Sequence, residues 1–326
     1  MSKVAENPTK CAIIYFSQTG NTKKVAEAIC RGIRSASGQC DLLRIQDADI
    51  RNLTAYDLIG LGSPVFVFKP PINVSIFMSR MSALRGKPCF IFATHGGHPG
   101  NFMPAAAKIL GRQGLVVIGT FDCDGDVTRP FYPYPFWTGG HPDEIDLEMV
   151  ANFGKEMIER SQRISLGEQV PLPQFEWLKD SLYYRSVKVW DANKIRSKEF
   201  IVAMTLDRMK CTYPECHLCV DHCPMQAINL SVTPVVFRKG CISCLFCEKI
   251  CPTGAIEING DFIEKRWKIA AEGFKERGYP EFFQRAKTEL IGNRSTLFRK
   301  LNEVDLNDPA KIYNRVRFQR PRFIIS

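Results

Sequence analysis

Two runs of cysteine constrain this 326-residue chain more than any other feature of its sequence. They hold eight of its 13 cysteines, spaced Cys211-x4-Cys216-x2-Cys219-x3-Cys223-Pro224 and Cys241-x2-Cys244-x2-Cys247-x3-Cys251-Pro252. An offset of 28 residues superposes the last three cysteines of each run, the proline, and the Ala-Ile pair that follows. Because structural disulfides are rare in a reducing compartment, so dense a repeat of thiols favours metal or redox chemistry.

The spacing within each run is typical of iron–sulfur ligands. Three thiolates spaced in this way can bind three corners of an iron–sulfur cube, and the fourth cysteine, followed by proline, reaches the neighbouring cluster. The pattern resembles that of bacterial ferredoxins with two 4Fe-4S clusters. The resemblance implies one cluster held by Cys211, Cys216, Cys219 and Cys251, and a second held by Cys241, Cys244, Cys247 and Cys223.

One spacing departs from the ferredoxin pattern. Four residues, including Pro214, separate Cys211 from Cys216, where the family has two. We expect this wider loop to alter the solvent access or the potential of its cluster. A pair of zinc sites is the alternative, but zinc motifs usually present two separated Cys-x2-Cys pairs rather than four cysteines closed by Cys-Pro.

The remaining cysteines and two histidines receive simpler interpretations. His217 and His222 lie inside the first run and are predicted to be exposed loop residues, because cysteines already complete the ligand set. Five cysteines in mostly apolar segments are predicted to be small core residues: Cys11, Cys30, Cys40, Cys89 and Cys123.

The amino-terminal segment has the pattern of an anion site. The apolar run 11–16 predicts a buried strand, the sequence SQTGNT follows it, and apolar residues at helical spacing begin at Val25. A helix start leaves backbone N–H groups unpaired and carries partial positive charge, so the turn can hold a phosphate or can simply cap the helix. The segment also resembles the flavodoxin phosphate loop, which implies that FMN binds at Ser17, Gln18, Thr19, Gly20, Asn21 and Thr22.

The rest of the first half alternates strands and helices. Further strands are predicted at 41–45, 57–64, 88–95 and 114–121, with helices near 72–84, 101–112 and 143–163. Such alternation predicts an α/β fold with a doubly wound parallel sheet. The flavodoxin resemblance implies the order 2-1-3-4-5, with FMN outside the carboxyl ends of the first and third strands.

Two loops at that edge are expected to enclose the flavin ring. Their candidate FMN-binding residues are Ser63, Pro64, Val65 and Phe66 in the first loop, and Thr94, His95, Gly96 and Gly97 in the second. Relatives often have tyrosine where this chain has His95, which is the candidate catalytic residue. Its ring is expected either to stack on the flavin, stabilise reduced anionic flavin or donate a proton, or to be packed in place. His98 is a weaker candidate.

A long segment, 121–146, follows the predicted fifth strand and is rich in aromatic residues and proline. Long loops are often functional, so it is interpreted as the seam to the cysteine domain or as a lid over a substrate. Asp122, Asp124 and Asp126 lack the glycine placement of a calcium-binding EF-hand loop, so no metal is expected there.

The charge of the chain requires a correction for bound ions. Its formal charge is +10, but two clusters and a flavin phosphate would reduce this to about +4. Nucleic acid is therefore not an expected partner, although an iron–sulfur sensor that binds DNA through a basic tail is the remaining alternative. Neither a transmembrane segment nor a secretory signal is recognised, so the cytoplasm is the expected compartment.

As a whole the chain resembles flavodoxin-ferredoxin fusions, sometimes called ferrodoxins. The expected organisation is a flavodoxin-like domain at 1–165, a helical connector at 166–199, a two-cluster ferredoxin domain at 200–260, and a basic helical extension at 261–326. The resemblance implies an oxidoreductase that passes electrons from a ferredoxin or another low-potential donor through two 4Fe-4S clusters to FMN and on to a small-molecule acceptor. The alternative is a non-enzymatic carrier that serves a partner redox enzyme, and a homodimer is a further option.

Overall fold

A computed structural model describes residues 8–66, 68–96, 99–127, 138, 140–177, 204–232, 236–237 and 240–258. These residues belong to two compact units, one built on a sheet and the other on the cysteine runs. Most of the predicted connector and the whole basic extension lie outside the described residues, so the domain boundaries stay predictions. None of the helices that the structure describes combines the length and the apolar character needed to span a bilayer.

The first unit contains five parallel strands in the order β2-β1-β3-β4-β5. The strands are β1 (Lys10–Tyr15), β2 (Gln39–Arg44), β3 (Leu58–Pro64), β4 (Pro88–His95) and β5 (Val116–Asp124). The helices are α1 (Asn21–Ser35), α2 (Ile72–Met78), α3 (Phe102–Arg112) and α4 (Glu144–Ser165), with short 3-10 turns at Asn52–Ala55 and Met81–Leu84. The predicted strand order is confirmed. The single helix predicted at 72–84 divides into α2 and a 3-10 turn.

Both faces of the sheet are covered, as continuous apolar strands require. One core lies between the sheet and α1 with α4, and includes Ile13, Ile29 and Phe92. The other lies between the opposite face and α2 with α3, and includes Ile14 and Ile91. All five cysteines outside the two runs are buried, which confirms their interpretation as core residues.

Close packing of α1 on α4 depends on two glycines. A Cβ atom on Gly32 would collide with the carbonyl oxygen of Ala151, and one on Gly154 would collide with that of Ile29. The start of α4 is fixed by a capping box, in which Asp143 accepts from the backbone N–H of Asp146 and the Asp146 side chain accepts from the N–H of Asp143.

The second unit is small and follows the repeat seen in the sequence. Strand β6 (Met204–Leu206) pairs antiparallel with β9 (Ile256–Ile258), and β7 (Ile228–Asn229) pairs antiparallel with β8 (Val236–Phe237). Two short helices, α5 (Leu218–Asp221) and α6 (Phe246–Ile250), each carry a cysteine of one run. In the described part of this unit, one apolar cluster contains seven buried residues: Met204, Ile228, Leu230, Leu245, Cys247, Ile256 and Ile258.

Candidate functional site

The turn between β1 and α1 presents an open helix start. Gly20 is the N-cap, with φ of 97°, and as a glycine it offers no capping side chain. Among the described residues, apart from the two that adjoin Gly20, no heavy atom lies within 4 Å of the position that its Cβ would take. The first turn of α1 contains no acidic residue, and Ser17 Oγ accepts from the N–H of Lys23 at 3.3 Å. The partial positive charge and the open space fit a bound phosphate.

Thr94 and His95, at the carboxyl end of β4, are bonded to the start of α1 and to the segments that follow β3 and β5. Thr94 Oγ1 is 2.7 Å from the Oγ1 of Thr22, at the start of α1, and both threonines are buried. The N–H of Val65, after β3, donates to Thr94 O at 2.8 Å, and the N–H of Gly125, after β5, donates to His95 O at 2.8 Å. These bonds hold the predicted phosphate turn and the two predicted ring loops at one edge of the sheet.

Hydrogen bonds and a ring contact stabilise the end of β3 and the loop that follows it. Ser63 is fully buried, and its hydroxyl donates to Pro64 O at 3.1 Å. Phe66 and Lys69 exchange two backbone hydrogen bonds, and the Phe66 ring meets Phe16 edge-on at 6.4 Å. In the loop after β4, Gly96 is exposed, whereas Gly97 and His98 lie outside the described residues.

His95 lies between two carboxylates. Its Nε2 is 3.0 Å from Asp122 Oδ2 and its Nδ1 is 3.2 Å from Asp124 Oδ1, while the imidazole is only 7% exposed. Burial lowers the pKa of His95, but the two carboxylates outweigh it and raise the pKa to about 9. The ring therefore carries a proton at neutral pH.

Sequence reasoning missed the partnership of His95 with these two aspartates. It placed Asp122 and Asp124 in a loop, whereas β5 extends through both. The register pairs Ala93 with Asp122 and His95 with Asp124, which puts the three polar side chains on one face of the sheet. The alternation of Thr120, Asp122 and Asp124 was a signal for a longer strand.

A second cluster of potential ligands has a structural explanation. One ligand atom from each of His141, Asp143 and Asp146 can lie within 4.8 Å of the others. Asp146 Oδ2 already accepts from the N–H of Asp143 at 2.8 Å and lies 2.5 Å from His141 Nδ1. The capping box of α4 accounts for the contact between Asp143 and Asp146, and the bond to His141 occupies the same carboxylate.

In the second unit, the charges of three predicted ligands of the first cluster affect the pKa of the fourth, Cys219. Burial, followed by the charges of Cys251, Cys211 and Cys216, raises the pKa of Cys219 to about 11. These four cysteines are the first ligand set expected from the sequence. The wide loop between Cys211 and Cys216 lies on the surface, with Tyr213 39% exposed.

The other four cysteines line a cavity. Cys223, Cys241, Cys244 and Cys247 line one small, partly open cavity together with apolar side chains such as Ile242. His222 also lines this cavity and its ring lies 6.4 Å from that of Phe246. The prediction that His222 is exposed is therefore wrong, because α5 packs against α6; His217 is exposed as predicted. Four thiols around one cavity fit a cluster of the 4Fe-4S type.

The repeat extends to the backbone around the last cysteine of each run. The N–H of Ala227 donates to Cys223 Sγ at 3.2 Å, and the N–H of Ala255 donates to Cys251 Sγ at 3.3 Å. The intervening turn is left-handed in both copies, with φ of 48° at Gln226 and 68° at Gly254. Hydrogen bonds to ligand sulfur are among the factors that tune cluster potential.

Comparisons with known proteins agree with these two sites. A flavodoxin domain profile matches residues 12–107, and a 4Fe-4S binding domain profile matches residues 234–257. Flavodoxin from Megasphaera elsdenii is 28% identical over 111 residues, which is 33% of this chain and 81% of that protein. Flavodoxin from Clostridium beijerinckii is 26% identical over 154 residues, covering 44% of this chain and 96% of its own.

The cysteine region matches a ferredoxin over almost its whole length. Ferredoxin from Methanothermococcus thermolithotrophicus is 40% identical over 58 residues, which is 17% of this chain and 97% of that protein. The chain is a flavodoxin-ferredoxin fusion. The cofactors of this flavodoxin-ferredoxin fusion are accordingly FMN and 4Fe-4S clusters, and the protein transfers electrons.

Proposed function

We propose that the flavodoxin-ferredoxin fusion is a reductase that takes electrons from a low-potential donor and passes them through two 4Fe-4S clusters to FMN and on to a small-molecule acceptor. The observation that carries this proposal is the presence, in one chain, of two four-thiol sets and an open phosphate turn. Clusters transfer single electrons, whereas FMN can accept one and release two. Joining the two in one chain makes the exchange intramolecular.

The proposal assigns a role to each group of residues. Ser17 to Thr22 bind the FMN phosphate at the start of α1, where hydroxyls and backbone N–H groups can donate. The loops at 63–66 and 94–97 contact the ring, and Thr94 connects them to the phosphate turn. Of these residues, Gly97 lies outside the described part of the chain. The two cysteine sets bind the clusters as thiolates.

One observation favours the alternative, in which the protein is an electron carrier for a partner redox enzyme. Both ring nitrogens of His95 face carboxylates, so the side chain does not present a free N–H to a substrate. A carrier needs no proton donor above the flavin, whereas most reductions of small molecules do. We further propose a protein redox partner, a cytoplasmic location in keeping with the free thiols, and no role for nucleic acid.

The first experiment counts the cofactors. Anaerobically purified wild-type protein should contain about eight irons and one FMN per chain. We expect Cys247→Ser to lower the iron content to about four while FMN stays at one, because a single cluster loses a ligand. Cys89→Ser is the matched control, since Cys89 is a fully buried core cysteine of the sheet unit. A colourless protein that binds zinc would contradict the proposal.

The second experiment separates the reductase from the carrier. The full chain is reduced with dithionite under argon and mixed with candidate acceptors while flavin absorbance is followed. Specific reoxidation by a small molecule, with product formed, supports the reductase. If small oxidants leave the flavin reduced and a partner protein reoxidises it, the carrier is the correct function.

A further inference from the structure

The imidazole of His95, at the end of β4, is buried and is held by two carboxylates. Its imidazole is 7% exposed, whereas the Asp122 and Asp124 side chains are 47% and 39% exposed. His95 Nδ1 and Asp124 Oδ1 are buried and, although 3.2 Å apart, are not aligned for a hydrogen bond. Their contact is an ion pair, and the bond from Nε2 to Asp122 at 3.0 Å supplies the hydrogen bond.

The backbone of His95 lies where the strand ends converge. Its carbonyl accepts from Gly125, after β5, and the preceding residue Thr94 bonds both Val65 and Thr22. Gly96, the next residue, begins the loop expected against the flavin ring. A side chain fixed at this point therefore fixes the direction in which the chain leaves β4.

We propose that His95 is a positioning residue for FMN: Asp122 and Asp124 clamp its protonated ring to β5, and the clamp holds the turn at Gly96 in the conformation that binds the flavin. This inference rests on the proposed function, because it concerns the same FMN site. It assigns His95 a role through the backbone rather than through contact with a substrate. The two aspartates act through His95 in the same way.

Charge explains why the clamp depends on the proton. Asp122 and Asp124, both on β5, are the charged groups of the described residues that act on His95. With the ring protonated, the three side chains carry a net charge of about −1, and each carboxylate is attracted to the cation between them. Without the proton the net charge of the three side chains is about −2. Neither carboxylate is then attracted to the ring by charge, and the two carboxylates repel one another.

This difference gives the clamp a pH dependence. The carboxylates raise the pKa of His95 to about 9 despite burial, so the clamp is intact at neutral pH and opens as pH rises through that value. FMN affinity should fall over the same range. A histidine held only by packing would show no such coupling between its proton and the flavin.

The test measures FMN dissociation from the full, cluster-containing chain by the recovery of free-flavin fluorescence on dilution between pH 6.5 and 10.5. We expect the Kd of the wild-type protein to rise about tenfold as pH passes 9. His95→Gln should bind more weakly at pH 7 and show no break near pH 9. Titration of FMN itself occurs in both proteins and cancels in the comparison.

Asp122→Asn provides a second variant that keeps the histidine and removes the more exposed carboxylate, so that folding is preserved. It should move the break in the FMN profile to lower pH, because one of the two charges that retain the proton is gone. Asp49→Asn, which removes an exposed carboxylate paired with Arg51, is the matched control and should leave the profile unchanged.

The outcomes are distinguishable. Parallel pH profiles for wild type and His95→Gln would overturn the clamp while leaving the FMN site intact. Failure of the wild-type protein to bind FMN at any pH would overturn the proposed function and, with it, the inference. A break near pH 9 that disappears in His95→Gln and shifts in Asp122→Asn supports both.

Discussion

The sheet unit and the cysteine unit differ in what holds them together. Among the described residues, the sheet unit has two cores on opposite faces of five strands, whereas the cysteine unit has a single cluster of seven buried residues. Buried apolar surface stabilises a fold roughly in proportion to its area, and domains with few buried residues usually need metals or disulfides. The eight cysteines of the two runs are the expected cluster ligands, so bound clusters would cross-link the cysteine unit. We therefore expect cluster binding to stabilise the cysteine unit more than the sheet unit.

The largest effect should follow removal of iron. Oxidative cluster loss with a chelator should unfold residues 204–258, since metal binding and folding are coupled in such small units. The sheet unit should stay folded, because its cores contain no cluster ligand. Hydrogen exchange followed by mass spectrometry measures both regions in one sample. Retained protection of 204–258 without iron would show that the two units do not differ in this way.

A substitution at the contact between α1 and α4 should destabilise the sheet unit without affecting the cysteine unit. Gly32→Ala places a methyl group against the carbonyl oxygen of Ala151 and should lower the free energy of unfolding by about 3 kcal/mol. Gly111→Ala in α3 is the matched control, because among the described residues outside its own helix turn a Cβ there would meet no atom within 4 Å. This variant should raise the free energy of unfolding by up to about 1 kcal/mol. Denaturant unfolding followed by far-ultraviolet circular dichroism gives the two free energies of unfolding. Iron content should be unchanged in both variants.

The histidine clamp should make the sheet unit sensitive to alkali. The pKa of His95 is raised from 6.5 to about 9, so its contribution to stability is complete below pH 6.5 and is lost as pH rises through 9. At most about 3 kcal/mol depends on this proton. Unfolding of the wild type and of His95→Gln at pH 6.5 and pH 10 gives the difference. Equal pH dependence in the two proteins would mean that the clamp contributes nothing to folding.

The smallest expected effect comes from exchanging the residues at two equivalent turns of the cysteine unit. Gln226 and Gly254 occupy equivalent left-handed turns of the repeat, and that conformation costs a residue other than glycine about 1 kcal/mol. Gln226→Gly should therefore stabilise the cluster-bound unit by about 0.5 kcal/mol after the entropy of glycine is included. Gly254→Gln should destabilise it by about 1 kcal/mol. Midpoints of cluster loss in denaturant, read from visible absorbance, should move in opposite directions.

Local pattern accounts for what could be predicted about the fold. The cysteine spacing and its 28-residue repeat indicated iron–sulfur chemistry because three ligands of each cluster are close in sequence, whereas the pairing with a distant fourth cysteine was implied only by the resemblance to ferredoxins. The apolar run before SQTGNT and the alternation that follows indicated the parallel sheet, since each strand and helix has its own periodicity. The break between α2 and the turn at Met81–Leu84 was missed, because helix ends leave weaker signals than helix interiors.

The sequence by itself determined the chemistry available to this protein: eight thiols in two runs, a turn that is predicted to bind phosphate, and strands that alternate with helices. Only the tertiary structure decided that His95 lies between Asp122 and Asp124, because that arrangement depends on the register of β4 against β5. Strand register is set by packing on both faces of a sheet, and one residue of slippage would reverse every side chain. The two carboxylates then decided the charge of His95, because they raise its pKa to about 9 despite burial, whereas the same imidazole in water would be mostly neutral at pH 7.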